Sequence, residues 1–566
     1  MDKGGFCHAF RRLEGHCEVT VAIISRGLYP ATCNQEGFAR NAIKTVSAFL
    51  SAAAREEKDK DMSEFLCEDE LNRLDPAETH AFESPIPTQP ISNGEFFPGH
   101  QSKEQKHVEA LIKEHGDAMG KKLGMERRQF LKTAAGMAVA FLAMNKVYGA
   151  IFDVSPVEAA TPEFAAERAQ KYSGEFVCDL HTHFLRDDTR LTIFAQLREW
   201  TGQVGFNPEL AKEPQTLEHL KFGNYVKEMF LDGDTKVALL SGAPSDIPTD
   251  WFLTNEMKAN ARRKLNTFAG SKRLLTHAVF APGQIGWLED IDRAIELKPD
   301  GWKGYTIGDN TNPTISKYPW RMDDEKLVYP AYEKFVKAGI KNVAVHKGLY
   351  PPGLEEIVPN LKQYAKVDDV GKAAKDWPQL NFFVYHAGYR YAGGPPIQGA
   401  PEVGAEQFEK TGRIDWVSDL MEVPQKYGVT NLYADVGAVF ATCCISYPRH
   451  AAALMGMLVK GLGADHVIWG TDSVWFGSPQ WQIEALRRLE IPEDMQKQYG
   501  YAPLGPADSE TKRAIFGLNS ARLFGLETGV KAAWKTDPMS ERKVAYLNAG
   551  SQRSNLAYGW VRKTNS

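Results

Sequence analysis

The chain has 566 residues, 43% of them hydrophobic and 11% aromatic, with a formal net charge of −5. That balance supplies ample core for a globular enzyme and excludes the basic footprint of a nucleic-acid or anionic-membrane binder. Seven cysteines without a Cys-x-x-Cys pair exclude a disulfide framework and a cysteine zinc site.

Residues 1–124 read as a largely polar N-terminal extension. Within it, a helix is expected near Ala42–Arg55 and a charge run closes at Asp61. Extended chain follows over Glu83–Pro98, which holds four prolines, and a surface helix over Lys103–Lys122 with Val108, Leu111, Ile112 and Met119 on one side. Residues 125–160 carry paired arginines, Arg127 and Arg128, then Phe130-Leu131-Lys132 and the apolar run Thr133–Met144. This resembles a twin-arginine export signal set well inside the chain, and the other reading is an internal apolar helix packed on the domain. The compartment is left as the cytoplasm, or the periplasm if that segment functions.

From residue 174 the texture becomes alternating strands and helices. Strands are expected at Phe176–His183, Lys236–Leu240, Leu274–Phe280, Gly301–Thr306, Asn342–His346, Leu380–His386, Asn431–Val436 and His466–Trp469. Helical patterns lie between them, including Asn255–Phe268, Leu354–Lys375, Glu406–Tyr427 and Pro448–Leu462. Eight such units over about 300 residues predict an α/β fold, an eight-stranded parallel β/α (TIM) barrel over 174–526. A polar tail is expected over 527–566.

In a barrel of this kind the active site forms at the C-terminal ends of the strands. Polar residues collect there. His181 and His183 end the first strand and project to one face, Lys303 lies on the fourth, His346 ends the fifth, His386 the sixth and Asp472 the eighth. Any one of these histidines could be a core or turn residue, but four at one rim with an aspartate point to a metal site. Asp435 on the seventh strand is read as a structural hydrogen-bonding group, and His277, His450 and His466 as structural. Arg390 follows a strand end, where it could recognise an acidic substrate.

The His-x-His pair, the later strand-end histidines, Gly470-Thr471-Asp472 and the closing Leu518-Asn519-Ser520-Ala521-Arg522-Leu523-Phe524 helix resemble the amidohydrolase superfamily. The likeness is to its Amidohydro_2-type branch, which includes aminocarboxymuconate-semialdehyde decarboxylase. The resemblance implies that His181, His183, His346 and Asp472 hold a divalent metal, zinc first, with manganese, iron or cobalt as alternatives. It implies that His386 acts as a general acid or base and that Asp472 both ligates and accepts a proton. Lys303 is either a carboxylated bridge between two metals or, with Arg390, a partner for a substrate carboxylate. The expected activity is hydrolysis of an amide, lactone or ester by metal-activated water. The alternatives are non-oxidative decarboxylation of an aromatic or muconate-type acid, and a metal-binding barrel without turnover. Expected partners are a small molecule such as a carboxylic acid, a second copy of the chain and the twin-arginine export machinery, with no nucleic acid.

Overall fold

The computed structural model describes residues 73–76, 84–89, 100–189, 220–309, 311–391, 400–551 and 560–562. The helix expected near Ala42–Arg55 and most of the stretch Glu83–Pro98 lie outside the described residues.

All eight expected barrel strands form. We label them β1 (Val177–Thr182), β2 (Thr235–Leu240), β3 (Leu274–Val279), β4 (Gly301–Tyr305), β5 (Asn342–His346), β6 (Asn381–Tyr385), β7 (Leu432–Asp435) and β8 (Val467–Ile468). Each pairs in parallel with the next, in sequence order. The ring closes between β8 and β1, where the Leu180 N–H donates to the Trp469 carbonyl at 3.0 Å, the Asp472 N–H to His181 at 2.8 Å and the His183 N–H to Ser473 at 2.6 Å. The barrel interior is filled by Cys178, Leu180, Val237, Leu239, Leu275, Ala344, Phe383, Tyr385 and Ile468, as inward-pointing residues of successive strands require.

One irregularity aims the site. Between Asp179 and Thr182 the register of β1 slips against β2, so that β1 holds one residue more than its partner. A bulge of this kind turns side chains that plain alternation would place elsewhere. It lets His181 reach Tyr385, at 4.0 Å between ring centroids, although Cys178 and Leu180 also belong to the interior.

Two long helical patterns are broken where the backbone chemistry demands it. The expected helix Leu354–Lys375 is a series of short pieces, because Pro359 cannot continue the turn before it. Glu406–Tyr427 splits into Ala400–Thr411 and Val417–Tyr427, with Gly412 at φ +68° ending the first.

The segment ahead of the barrel is folded onto it. The helix Lys103–Leu123 starts with a capping box between Ser102 and Gln105, and Val108, Leu111 and Ile112 are buried. The apolar run of the twin-arginine-like segment forms the helix Ala134–Tyr148, with Ala135, Ala138, Val139, Phe141 and Met144 buried in the main core. Asn145 fixes its exit through bonds to Ile151 and Phe152. Beyond it the Asp153 N–H donates to Arg488 and the Glu490 N–H to Ile151, both at 2.8 Å. Among the described residues no helix is long and apolar enough to cross a membrane.

The tail expected after residue 527 contributes a helix, Pro538–Asn548, held at the base of the barrel. Arg273, which immediately precedes β3, donates to both oxygens of Asp537 at 2.7 and 2.8 Å, and Tyr546 donates to Asp232 at 2.6 Å.

Candidate metal centre

The residues expected at the strand ends converge at one rim. The ligand atoms of His181, His386 and Asp472 all lie within 4.8 Å of one another. Asp472 Oδ1 stands 3.4 Å from His181 Nε2 and 3.3 Å from His183 Nε2. His346 adjoins the group through His386, at 4.7 Å between ring centroids, and its other face stacks on Tyr305 at 4.8 Å. His181, His183 and His386 thus meet the aspartate that follows β8, with His346 against His386, and all five are buried.

Their electrostatics suit metal ligation. Burial, reinforced by the nearby Lys303 cation and the other imidazoles, holds His181, His346 and His386 well below the usual imidazole range, so they present neutral nitrogens. Burial also pushes the Asp472 carboxyl up to about 7, and Lys303 counters that rise. His386 Nδ1 is buried with no hydrogen-bond partner among the described residues, which leaves one ring nitrogen for a ligand or a proton. Neutral imidazoles converging with a carboxylate form the donor set of a divalent zinc, manganese, iron or cobalt ion, so the residues present fit such an ion.

Asp435 orients the set. Its Oδ2 accepts from His181 Nδ1 at 2.9 Å and from the His386 N–H at 3.3 Å. This is the carboxylate–histidine contact that fixes a ligand's tautomer. Asp179, buried beneath the rim, accepts from the backbone of His181 and of Thr471 at 3.1 Å each, joining the β1 ligands to the Gly-Thr-Asp turn.

Two glycines make room for this packing. A Cβ on Gly470 would fall 1.9 Å from Asp435 Oδ1, and one on Gly437 2.9 Å from His386 Nδ1 and 3.1 Å from His181 Nδ1. Gly470 was visible within Gly-Thr-Asp. Gly437 carried no signal beyond standing two residues after Asp435. The aromatic wall was also missed, with Trp475 stacked on His183 at 5.7 Å and Phe252 edge-on to it at 5.9 Å. Neither residue shares a motif with the histidines.

Lys303 is buried inside the rim, its Nζ 3.4 Å from the centre of the Tyr385 ring and 4.8 Å from that of Tyr305. Arg390 is placed differently from the expectation of a substrate contact. Its guanidinium donates to Glu355 at 2.9 Å and to Asp415 at 3.1 Å, and it lies over Trp416. Those carboxylates occupy the fork that an acidic substrate would need. Of the histidines read as structural, His277 adjoins Ser241 at 3.4 Å and His450 adjoins Tyr389 at 3.1 Å.

A closed β/α barrel with buried imidazoles and carboxylates at the rim where such barrels do chemistry defines the class of protein, a barrel enzyme with a candidate metal centre. Residues 288–526 match the amidohydrolase family model Amidohydro_2. No curated protein matches the chain. Among solved structures, it is similar to an uncharacterized TIM-barrel protein from Bordetella bronchiseptica (14% identity, 62% of this chain and 98% of that one, TM-score 0.38). It is also similar to 5-carboxyvanillate decarboxylase from Sphingomonas paucimobilis (14% identity, 62% and 99%, TM-score 0.34). A third is a probable 2-pyrone-4,6-dicarboxylic acid hydrolase from Acinetobacter baumannii with citric acid bound (13% identity, 62% and 99%, TM-score 0.34).

Proposed function

We propose that the protein is a metal-dependent hydrolase that cleaves an amide, lactone or ester bond in a small molecule bearing a carboxylate. The observation that carries this reading is the position of Asp472, whose Oδ1 lies 3.3–3.4 Å from two imidazole nitrogens of the same rim. One carboxylate there can both hold a cation and take a proton from water beside it. In this reading His181, His183, His346 and Asp472 hold the ion, zinc first, and Asp435 keeps His181 in the ligating tautomer. A divalent ion held by these residues would supply Lewis acidity, which makes water beside it easier to deprotonate near neutral pH. His386 relays the proton that Asp472 takes from water to the leaving atom, so that both side chains end in the state in which they began. Trp475 and Phe252 keep bulk water from the His183 side, which strengthens every charge interaction inside.

The test is turnover by protein loaded in turn with zinc, manganese, iron or cobalt, offered lactones, esters and amides of small carboxylic acids in water enriched in oxygen-18. Label in the product acid supports hydrolysis. Its absence with every metal and substrate class sinks the reading.

Decarboxylation is the second reading, and Lys303 favours it. A buried ammonium among the ligand imidazoles can hold a carboxylate close to the metal, where that carboxylate is either an anchor or the group that leaves. Release of carbon dioxide from aromatic acids, without label uptake, would replace the first reading with the second.

A further inference from the structure

A buried charge outside the metal centre has no role in the chemistry above. Lys258 lies on the helix Asn255–Ala269, on the inward stripe it shares with Ala261, Leu265 and Ala269. Such a stripe is normally apolar. Lys258 is fully buried, and its Nζ has no hydrogen-bond partner among the described residues. An isolated ammonium in that position is costly, and buried charges are ordinarily paired.

Its surroundings place that ammonium at the rim rather than the base. A methyl group on Gly242 would stand 3.2 Å from Lys258 Nζ and 3.5 Å from Val279, so the ammonium lies just beyond the ends of β2 and β3. The neighbouring Ser241 receives the chain of β1 through its N–H to the Thr182 carbonyl at 2.9 Å, between the two ligand histidines in sequence. The Ser241 hydroxyl meets His277, an imidazole held well below its usual range by burial and then by Lys303 and Lys258. This side of the rim therefore carries two buried lysines, Lys303 and Lys258. Among the described residues, the one acid whose charge reaches Lys258 is Glu256, two residues away on its own helix.

We infer that Lys258 is a substrate-positioning residue, its buried ammonium at the ends of β2 and β3 pairing with a carboxylate of the substrate away from the bond that reacts. An ion pair formed there satisfies an otherwise unpaired cation and is stronger than one in solvent. Lys303 stands against the metal ligands, whereas Lys258 stands at the adjacent strand ends, so the two cations suit a substrate carrying an acid apart from its reacting centre.

The inference rests on the reading of the site as one for small carboxylic acids, and its test is independent of turnover. Binding of benzoate and of its neutral counterpart benzamide to the metal-loaded full chain is measured by calorimetry, for the wild type, Lys258→Met and Lys258→Leu. Loss of the charged partner should weaken benzoate by about tenfold or more and leave benzamide within about twofold. Removing an unpaired buried charge should not unfold the protein, and two variants of different shape separate charge from packing. The inference is overturned if benzoate binds the variants as it binds the wild type, if both probes weaken together, or if the wild type does not prefer benzoate. Hydrolysis of neutral esters with unchanged benzoate affinity in Lys258→Met would leave the hydrolase reading standing without this inference. Charge-selective binding without any hydrolysis would do the reverse.

Discussion

The two ends of the barrel bury charge on opposite terms. At the base, Arg487 is surrounded by acceptors, donating to Glu484 at 2.7 Å, to Asp234 and the Tyr172 carbonyl at 2.8 Å and to Glu175 at 3.2 Å. Burial alone would raise the Asp234 carboxyl, but Lys543, Arg487 and Lys236 reverse the effect and hold it below the ordinary range. At the rim, burial prevails. Asp472 and Asp435 are both pushed up to about 7, and the imidazoles are driven toward neutrality. The rim backbone also carries strain, with non-glycine residues at positive φ in His386 (59°), Ala387 (50°) and Asp472 (59°). The base has its counter-charges built in and serves stability. The cluster of His181, His386, Asp435 and Asp472 has Lys303 as its nearby cation and no such network of ion pairs, which suits the cation proposed for it.

The largest effect should come from breaking the rim. Asp472→Asn keeps the shape and removes the charge that faces His181 and His183. Metal content should fall well below one equivalent and turnover by more than about a hundredfold, with the fold intact by circular dichroism. A variant with full metal and wild-type turnover would mean that Asp472 is not part of the centre.

Breaking the base should do the opposite. Arg487→Met leaves Asp234 and Glu484 buried beside a missing cation. The expected loss is about 3–5 kcal/mol in urea unfolding, with metal content per folded molecule unchanged. If metal binding fell as sharply as stability, the division between the two ends would not hold.

A smaller change sharpens the division within the rim. Asp435→Asn weakens the contact that orients His181 without removing a ligand. Metal affinity should drop by about 10- to 100-fold in competition with a chelator, less than for Asp472→Asn. An equal drop would make Asp435 itself a ligand.

Much of this was legible in the sequence because barrel strands are short apolar runs and ligands stand at their ends. His181, His183, His346, His386 and Asp472 could be assigned to the rim by counting strands alone. What escaped depended on contacts between distant segments. Arg390 follows a strand end, where an arginine could meet substrate, and only the fold brings Glu355 and Asp415 to it. The docking of the C-terminal helix through Asp537 was not legible either, since a polar tail gives no sign that Arg273 awaits it. The apolar run after Arg127 and Arg128 has the composition and length both of an export signal's apolar region and of a packed helix, and the fold shows it as a buried helix. Lys258 escaped for a simpler reason, as a lysine in an otherwise apolar helical stripe is one letter against a pattern.

That residue supplies the smallest effect and the finest contrast. Burial lowers the Lys258 ammonium from the ordinary lysine range to about 7. A base whose folded value is depressed contributes stability fully at pH above the unfolded value, and loses it as pH falls toward the folded one. The wild type should therefore lose stability on this account between about pH 10 and pH 7, and Lys258→Met should not. The variant should melt about 1–3 °C above the wild type at pH 7, and the gap should close as pH rises toward 10. Benzoate should narrow the gap at pH 7 by stabilising the wild type alone. A gap that is independent of pH would place the effect in packing, and one that benzoate leaves untouched would remove the carboxylate from Lys258.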